Sequence, residues 1–166
     1  MNLKRVVVTG IGAVTPLGNN APETWENVKN GVSGAGPITK FDASLFKTHF
    51  ACEVKNFDPK QYIDRKAVNK MDLYTQYAMV SAMEAVKDSG MDLEQVNKER
   101  IGVIYGVGIG GINTFEKEVS NYALHEAEGP KYNPFFIPKM ISCSPLAVSE
   151  ELSIIITDNY DCLRQP

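Results

Sequence analysis

Glycine turns that follow apolar runs are the first places in this chain to look for chemistry, because their free backbone N–H groups can hold phosphate. Two such turns occur, Gly10-Ile11-Gly12 and Gly108-Ile109-Gly110-Gly111. The first resembles the start of a dinucleotide fingerprint, but Thr15-Pro16 stands where the third glycine or alanine belongs. A proline there disturbs the helix whose N-terminus must face the pyrophosphate. The acidic residue expected about twenty positions further on is also missing, since Asp42 lies too far along. The second turn is not followed by Gly-Lys-Ser/Thr. It reads instead as a strand end that needs positive φ and close backbone approach ahead of a helix. No nucleotide or other cofactor is expected.

Nucleophiles and metal ligands are sparse. Cys52, Cys143 and Cys162 show no Cys-x-x-Cys spacing, and His49 and His125 stand far apart with no cysteine near them in metal-site spacing. Neither a disulfide framework nor a metal site is expected. Cys162 leads into Leu163-Arg164-Gln165-Pro166, which opens no helix that would lower a thiol pKa. No catalytic residue is assigned. The basic residues Arg65, Lys66 and Lys70 are either a solvated helix face or a docking patch for an acidic partner.

These groups need elements to position them. Arg5 to Val8 reads as a buried strand ended by Thr9-Gly10, and a glycine- and proline-punctuated loop runs on to Gly18. Asn20 is the expected N-cap of a helix with Pro22 in its first turn, Glu23 at the capping-box position, Trp25 and Val28 on one face, and Gly31 as the stop. Phe50 to Val54 is a short strand candidate, and Pro59 to Lys70 should form one or two short helices. Asp72 caps the clearest helix, Leu73 to Ser89, whose residues Leu73, Tyr77, Val80, Met83 and Val86 recur at helical steps until Gly90. Ile101 to Val107 is a second β-branched run. Ile112, Phe115, Val119 and Tyr122 then mark another helix. The order strand, helix, helix, strand, helix is that of an α/β protein with a mostly parallel sheet.

Composition narrows the class. The 166 residues are 43% hydrophobic and 22% charged, as in a globular protein with a real core. A net charge of −3 without large single-sign blocks gives no nucleic-acid surface. No apolar run reaches the ~18 residues of a membrane span, and the N-terminus has no signal-peptide pattern, so a cytoplasmic location is expected.

One long stretch is more specific than any of these fragments. Val6-Val7-Val8-Thr9-Gly10-Ile11-Gly12-Ala13-Val14-Thr15-Pro16-Leu17-Gly18 is followed by the tryptophan helix and Gly31-Val32-Ser33-Gly34. Then come Phe41-Asp42, Lys70-Met71-Asp72, Ala82 to Gly90, Gly102-Val103, Gly106 to Gly111, and Pro134-Phe135-Phe136-Ile137-Pro138. Over about residues 3 to 142 the chain resembles the N-terminal part of the β-ketoacyl-acyl carrier protein synthases, nearest to the type II elongating condensing enzyme. The resemblance implies a thiolase-like α/β fold, with residues 1–142 as the incomplete N-terminal half of a five-layered αβαβα architecture, and a homodimer.

It also implies a chemistry. In that family an acyl chain passes from acyl carrier protein to an active-site cysteine. Malonyl-acyl carrier protein then decarboxylates, and the carbanion attacks the thioester. Such a cysteine needs a helix N-terminus, backbone donors for the oxyanion and two histidines for the enolate. Counting on from Pro138 places the family's cysteine near Pro166, where none stands, and its histidines lie further along; His49 and His125 match neither. The chain alone is therefore expected to be inactive. By position, Ile109 matches the floor of the acyl pocket, where its rotamer gates chain length. Phe136 matches a residue lining the partner subunit's acyl pocket. Arg65, Lys66 and Lys70 match the patch that docks acyl carrier protein, and Asn69 departs from the basic residue often found there. The alternative expectation is a non-catalytic fragment of the same fold that dimerises or binds acyl carrier protein.

After Ser142 the character changes, and residues 143–166 are expected to be a divergent, frame-shifted tail. Asn159-Tyr160 sits where the family has a similar pair. Codons for Asp161 to Arg164 read one nucleotide later can spell Thr-Val-Ser-Ala, a run of the kind that precedes the family's nucleophile.

Overall fold

The computed structural model describes residues 5–97 and 100–140; its first four α-helices fall where the sequence put them, and a fifth, at Phe136–Met140, was not expected. They are α1 (Ala21–Lys29), α2 (Arg65–Lys70), α3 (Leu73–Ser89), α4 (Ile112–Leu124) and α5 (Phe136–Met140), with 3-10 turns at Pro59–Gln61 and Glu126–Glu128. Asn20 caps α1 by accepting the Glu23 N–H at 2.8 Å. The Glu23 carboxylate returns to the Asn19 N–H at 2.8 Å, one residue ahead of the usual capping-box partner. Gly31 and Gly90, both at φ +65°, follow the ends of α1 and α3. Asp64 caps α2 by accepting the Lys66 N–H at 2.7 Å. The Asp72 carbonyl receives the Gln76 N–H at the start of α3, at 3.1 Å.

The strands differ from expectation. Neither Arg5–Val8 nor Ile101–Val107 is in a ladder, and Val6, Val8 and Ile104 are 89%, 82% and 84% exposed. A buried parallel strand is held by neighbours contributed from distant parts of a chain. Among the described residues no segment pairs with either run. The sheet found there is an antiparallel pair, β1 (Gly36–Pro37) with β2 (Phe50–Ala51), in the register Gly36 to Ala51 and Pro37 to Phe50. The strand expected over Phe50–Val54 thus shortens to its first two residues, and the expected parallel sheet is not formed within the described residues. Beside this pair Glu53 accepts the Thr39 hydroxyl at 2.6 Å and its N–H at 3.2 Å, and these bonds hold the carboxyl below its ordinary range.

The chain divides into two units. One comprises the residues up to Asp58 with Val80–Met91, so it contains α1, β1, β2 and the C-terminal part of α3. Here the turn after Thr9 lies directly on α3. A Cβ at Gly10 would fall on the Ala85 carbonyl oxygen and 2.6 Å from the Ser89 nitrogen. At Gly12 it would fall on the Ser81 carbonyl oxygen and 2.7 Å from the Ala85 nitrogen. Both glycines are thus required by backbone approach to a helix. Carboxylates on α3 hold the turn in place. Asp88 accepts the Ile11 N–H at 2.9 Å, and Glu84 accepts the Ala13 N–H at 2.9 Å through one oxygen and the Ala21 N–H at 2.8 Å through the other.

The other unit comprises Pro59–Met79 and the residues from Asp92 on. Its buried side chains include Ile63, Val68, Met71, Thr75 and Ala78. Of the apolar series expected to bury α3, Val80 is buried, whereas Leu73, Tyr77, Met83 and Val86 are half-buried. No helix of the described residues is long and apolar enough to cross a membrane.

Candidate functional site

The basic residues singled out in the sequence share one short helix. Arg65, Lys66 and Lys70 are all exposed on α2. Lys66 and Lys70 are four residues apart, which sets them one above the other on one helical face. Among the described residues none of the three has a carboxylate within ion-pairing distance. Packing anchors the helix from beneath through Val68, which is buried, and the Met71 N–H closes it on the Val68 carbonyl at 3.2 Å. Lys70 differs from its neighbours. Its ammonium stands 5.7 Å from the centre of the Phe135 ring, inside the range of about 6 Å over which a ring face attracts a cation.

Ile109 and Phe136 lie on either side of α4 in the chain. Ile109 sits in the glycine turn before it and is 76% exposed. That turn uses its glycines as the sequence implied: Gly110 adopts φ +81°, and a Cβ at Gly111 would fall on the Lys139 carbonyl oxygen. The Gly111 N–H also reaches the Met140 carbonyl at 3.4 Å, so α4 and α5 are joined at this point. Phe136 opens α5 and is half-buried. Its ring stacks on Tyr132 at 5.5 Å and on Phe115 at 6.3 Å between ring centres, and Tyr132 in turn meets Tyr122 at 5.6 Å. Ahead of Ile109, partial burial pushes the Tyr105 phenol above its ordinary value.

Several partners escape a reading of local pattern. The Asp72 carboxylate accepts the Thr114 hydroxyl, tying the start of α3 to α4. Glu84 and Asp88 each accept one N–H of the Gly10 turn, and Asn20 and Glu84 each accept one at the start of α1. The N–H groups of Ile11, Ala13, Ala21 and Glu23 are thus bonded to the chain's own carboxylates and amide oxygen. Near the end of α4, a groove of about 250 Å³ is lined by Asn121, Tyr122, His125, Glu128, Gly129 and Lys131. Its charged walls are paired with each other, Lys131 Nζ to Glu128 Oε2 at 2.8 Å. No cluster of three or more potential metal ligands occurs among the described residues. Cys52 is exposed and free, while Cys143 and Cys162 lie outside the described residues.

Comparison with known proteins gives this arrangement a context. The 3-oxoacyl-[acyl-carrier-protein] synthase 2 of Staphylococcus aureus (strain COL) is 45% identical over 138 residues, which is 83% of this chain and 33% of that protein. The chain thus spans about a third of the length of the curated relatives it matches. Among solved structures, the ishigamide ketosynthase/chain length factor aligns with a TM-score of 0.74 at 27% identity, over 90% of this chain and 38% of that one. A ketosynthase in complex with its type II PKS acyl-carrier protein, AntDE:AntF, aligns with a TM-score of 0.66 at 24% identity, over 87% of this chain and 38% of that one. The backbone path is therefore that of the thiolase-like ketosynthases, although the ladders around Arg5–Val8 and Ile101–Val107 are not formed among the described residues. A family model described as the N-terminal domain of beta-ketoacyl synthase matches residues 3–154, twelve positions past Ser142, and the chain belongs to that family.

Proposed function

We propose that this chain carries the acyl carrier protein docking helix and part of the acyl-chain wall of a fatty-acid condensing enzyme. In the whole protein the acyl group is taken from acyl carrier protein and condensed with malonyl-acyl carrier protein. Arg65, Lys66 and Lys70 dock the carrier protein, and Ile109 and Phe136 contact the acyl chain. The observation that supports this most is α2 itself. It presents three cations to solvent without ion pairs among the described residues, on a helix capped by Asp64 and seated by Val68. Unpaired surface cations of this kind steer an acidic partner and fix its register. A structural relative that binds an acyl-carrier protein supports the same reading.

The test is binding of acyl carrier protein to the chain at low salt. We expect micromolar affinity that falls at least tenfold in the double variant Lys66→Glu, Lys70→Glu, and that weakens with added salt. Affinity unaffected by the charge reversal would reject the docking role. No cysteine stands near Pro166, where the family resemblance puts the nucleophile, so on this reading acyl- and malonyl-acyl carrier protein should turn over no faster than a protein-free blank. Turnover above that blank would overturn this part of the proposal.

A second reading has its own observation. Val6, Val8 and Ile104 are apolar, β-branched and largely exposed, as expected of segments that pair with further chain. A non-catalytic fragment that dimerises would cover them, and it would do so whether or not acyl carrier protein binds.

A further inference from the structure

Two features of the site meet at a single contact. Lys70 belongs to the exposed cation set of α2, and its ammonium lies over Phe135, the residue next to Phe136. Among the described residues Arg65 and Lys66 have no ring in this position. The Phe135 N–H donates to Asn133 Oδ1 at 2.8 Å, and its carbonyl accepts the Lys139 N–H at 2.9 Å. The Phe136 N–H donates to the Asn133 carbonyl at 2.8 Å, and the Asn133 N–H is held by Glu118 at 3.0 Å. The two phenylalanines therefore share one turn of backbone. One ring faces the Lys70 cation and the other is stacked on Tyr132 and Phe115.

A ring face is the negative end of its quadrupole, so it attracts an ammonium and repels a carboxylate. A carboxylate of a docking partner approaches the ammonium from its solvent side and pulls it away from the ring, so the ion pair and the ring contact compete for the position of Lys70. We propose that Lys70 couples docking to the acyl-chain wall: an acidic group of acyl carrier protein draws the ammonium off Phe135, and this loosens the turn that holds Phe136. This inference rests on the docking role proposed above and adds the direction of the coupling. The carrier protein competes with a contact inside the chain, and Phe136 is less restrained in the docked state than in the free one.

Two variants test this in the full chain. Phe135→Leu keeps apolar bulk and removes the quadrupole, so acyl carrier protein should bind about two- to fivefold more tightly, the range a partly exposed cation–ring contact supplies. A structural defect would not raise affinity. Lys70→Met keeps the side-chain stem and removes the charge at an exposed position. With no partner present, it should speed amide hydrogen exchange over residues 135–140 about two- to fivefold, leaving α1 unchanged. Adding acyl carrier protein to the unaltered chain should speed the same amides. Binding that Lys66→Glu weakens but Phe135→Leu leaves unchanged overturns the coupling alone. Unchanged exchange in Lys70→Met does the same. If acyl carrier protein does not bind at all, the docking role falls and the coupling falls with it.

Discussion

Glu84 uses both carboxylate oxygens on backbone N–H groups, from Ala13 and Ala21, which are 71 and 63 residues away in sequence. The side chain thereby fixes the loop after Gly12 and the first turn of α1 with one charge. Hydrogen bonds to an ionised acceptor contribute about 1.5–3 kcal/mol each when sheltered, and these two are only partly buried. Glu84→Ala should therefore lower unfolding free energy by about 2–3 kcal/mol in urea titration, and Glu84→Gln, which keeps one acceptor, by roughly half as much. A loss under about 0.5 kcal/mol for the alanine variant, the level of an ordinary surface change, would contradict this role. Nothing in the local text separates Glu84 from a solvated helical glutamate. Its helix was legible, but its partners were not, because they lie in segments that only the fold brings near. Lys70 is similar: its charge was plain in the sequence, while the ring beneath it, Phe135, comes from 65 positions further on.

At the scale of elements, the run from Gly10 to Gly18 acts as a strap over the C-terminal half of α3. Its glycines meet α3 backbone at Ser81 and Ala85, so the requirement is for the absence of a side chain at these positions. Gly12→Ala should cost about 1–3 kcal/mol, because backbone on both sides must shift to admit a methyl group. Gly102→Ala, where a Cβ meets nothing within 4 Å, is the matched control and should stay within about 0.5 kcal/mol. Equal losses at the two sites in thermal or urea unfolding would remove the close-approach explanation. Helices were the legible elements. Asn20, Gly31 and Gly90 act within a few residues of themselves, and their chemistry is complete in the local sequence. Strands were less so: Arg5–Val8 and Ile101–Val107 have strand-like composition, but a strand exists only when another segment supplies its hydrogen bonds. Gly36–Pro37 shows the converse, a short strand that its own composition does not announce, formed because Phe50–Ala51 lies alongside it.

For the molecule as a whole, the consequence is uncovered apolar surface. Val6, Val8, Trp25 and Ile104 are each more than 60% exposed, and exposed apolar surface with open backbone groups favours association. Purified chain should therefore sediment as a concentration-dependent mixture of oligomers at micromolar levels and bind a hydrophobic dye. A monodisperse monomer with a single cooperative thermal transition would count against this. The sequence by itself determined the family, the four longer helical segments with the cap at Asn20, and the basic residues of α2, because each of these is written in contiguous text or in the order of contiguous segments. Only the tertiary structure decided that Gly10 and Gly12 serve helix packing, that Glu84 and Asp88 accept the Ala13 and Ile11 N–H groups, and that Lys70 lies over Phe135. Those are distances between residues far apart along the chain, and neither composition nor periodicity carries such distances.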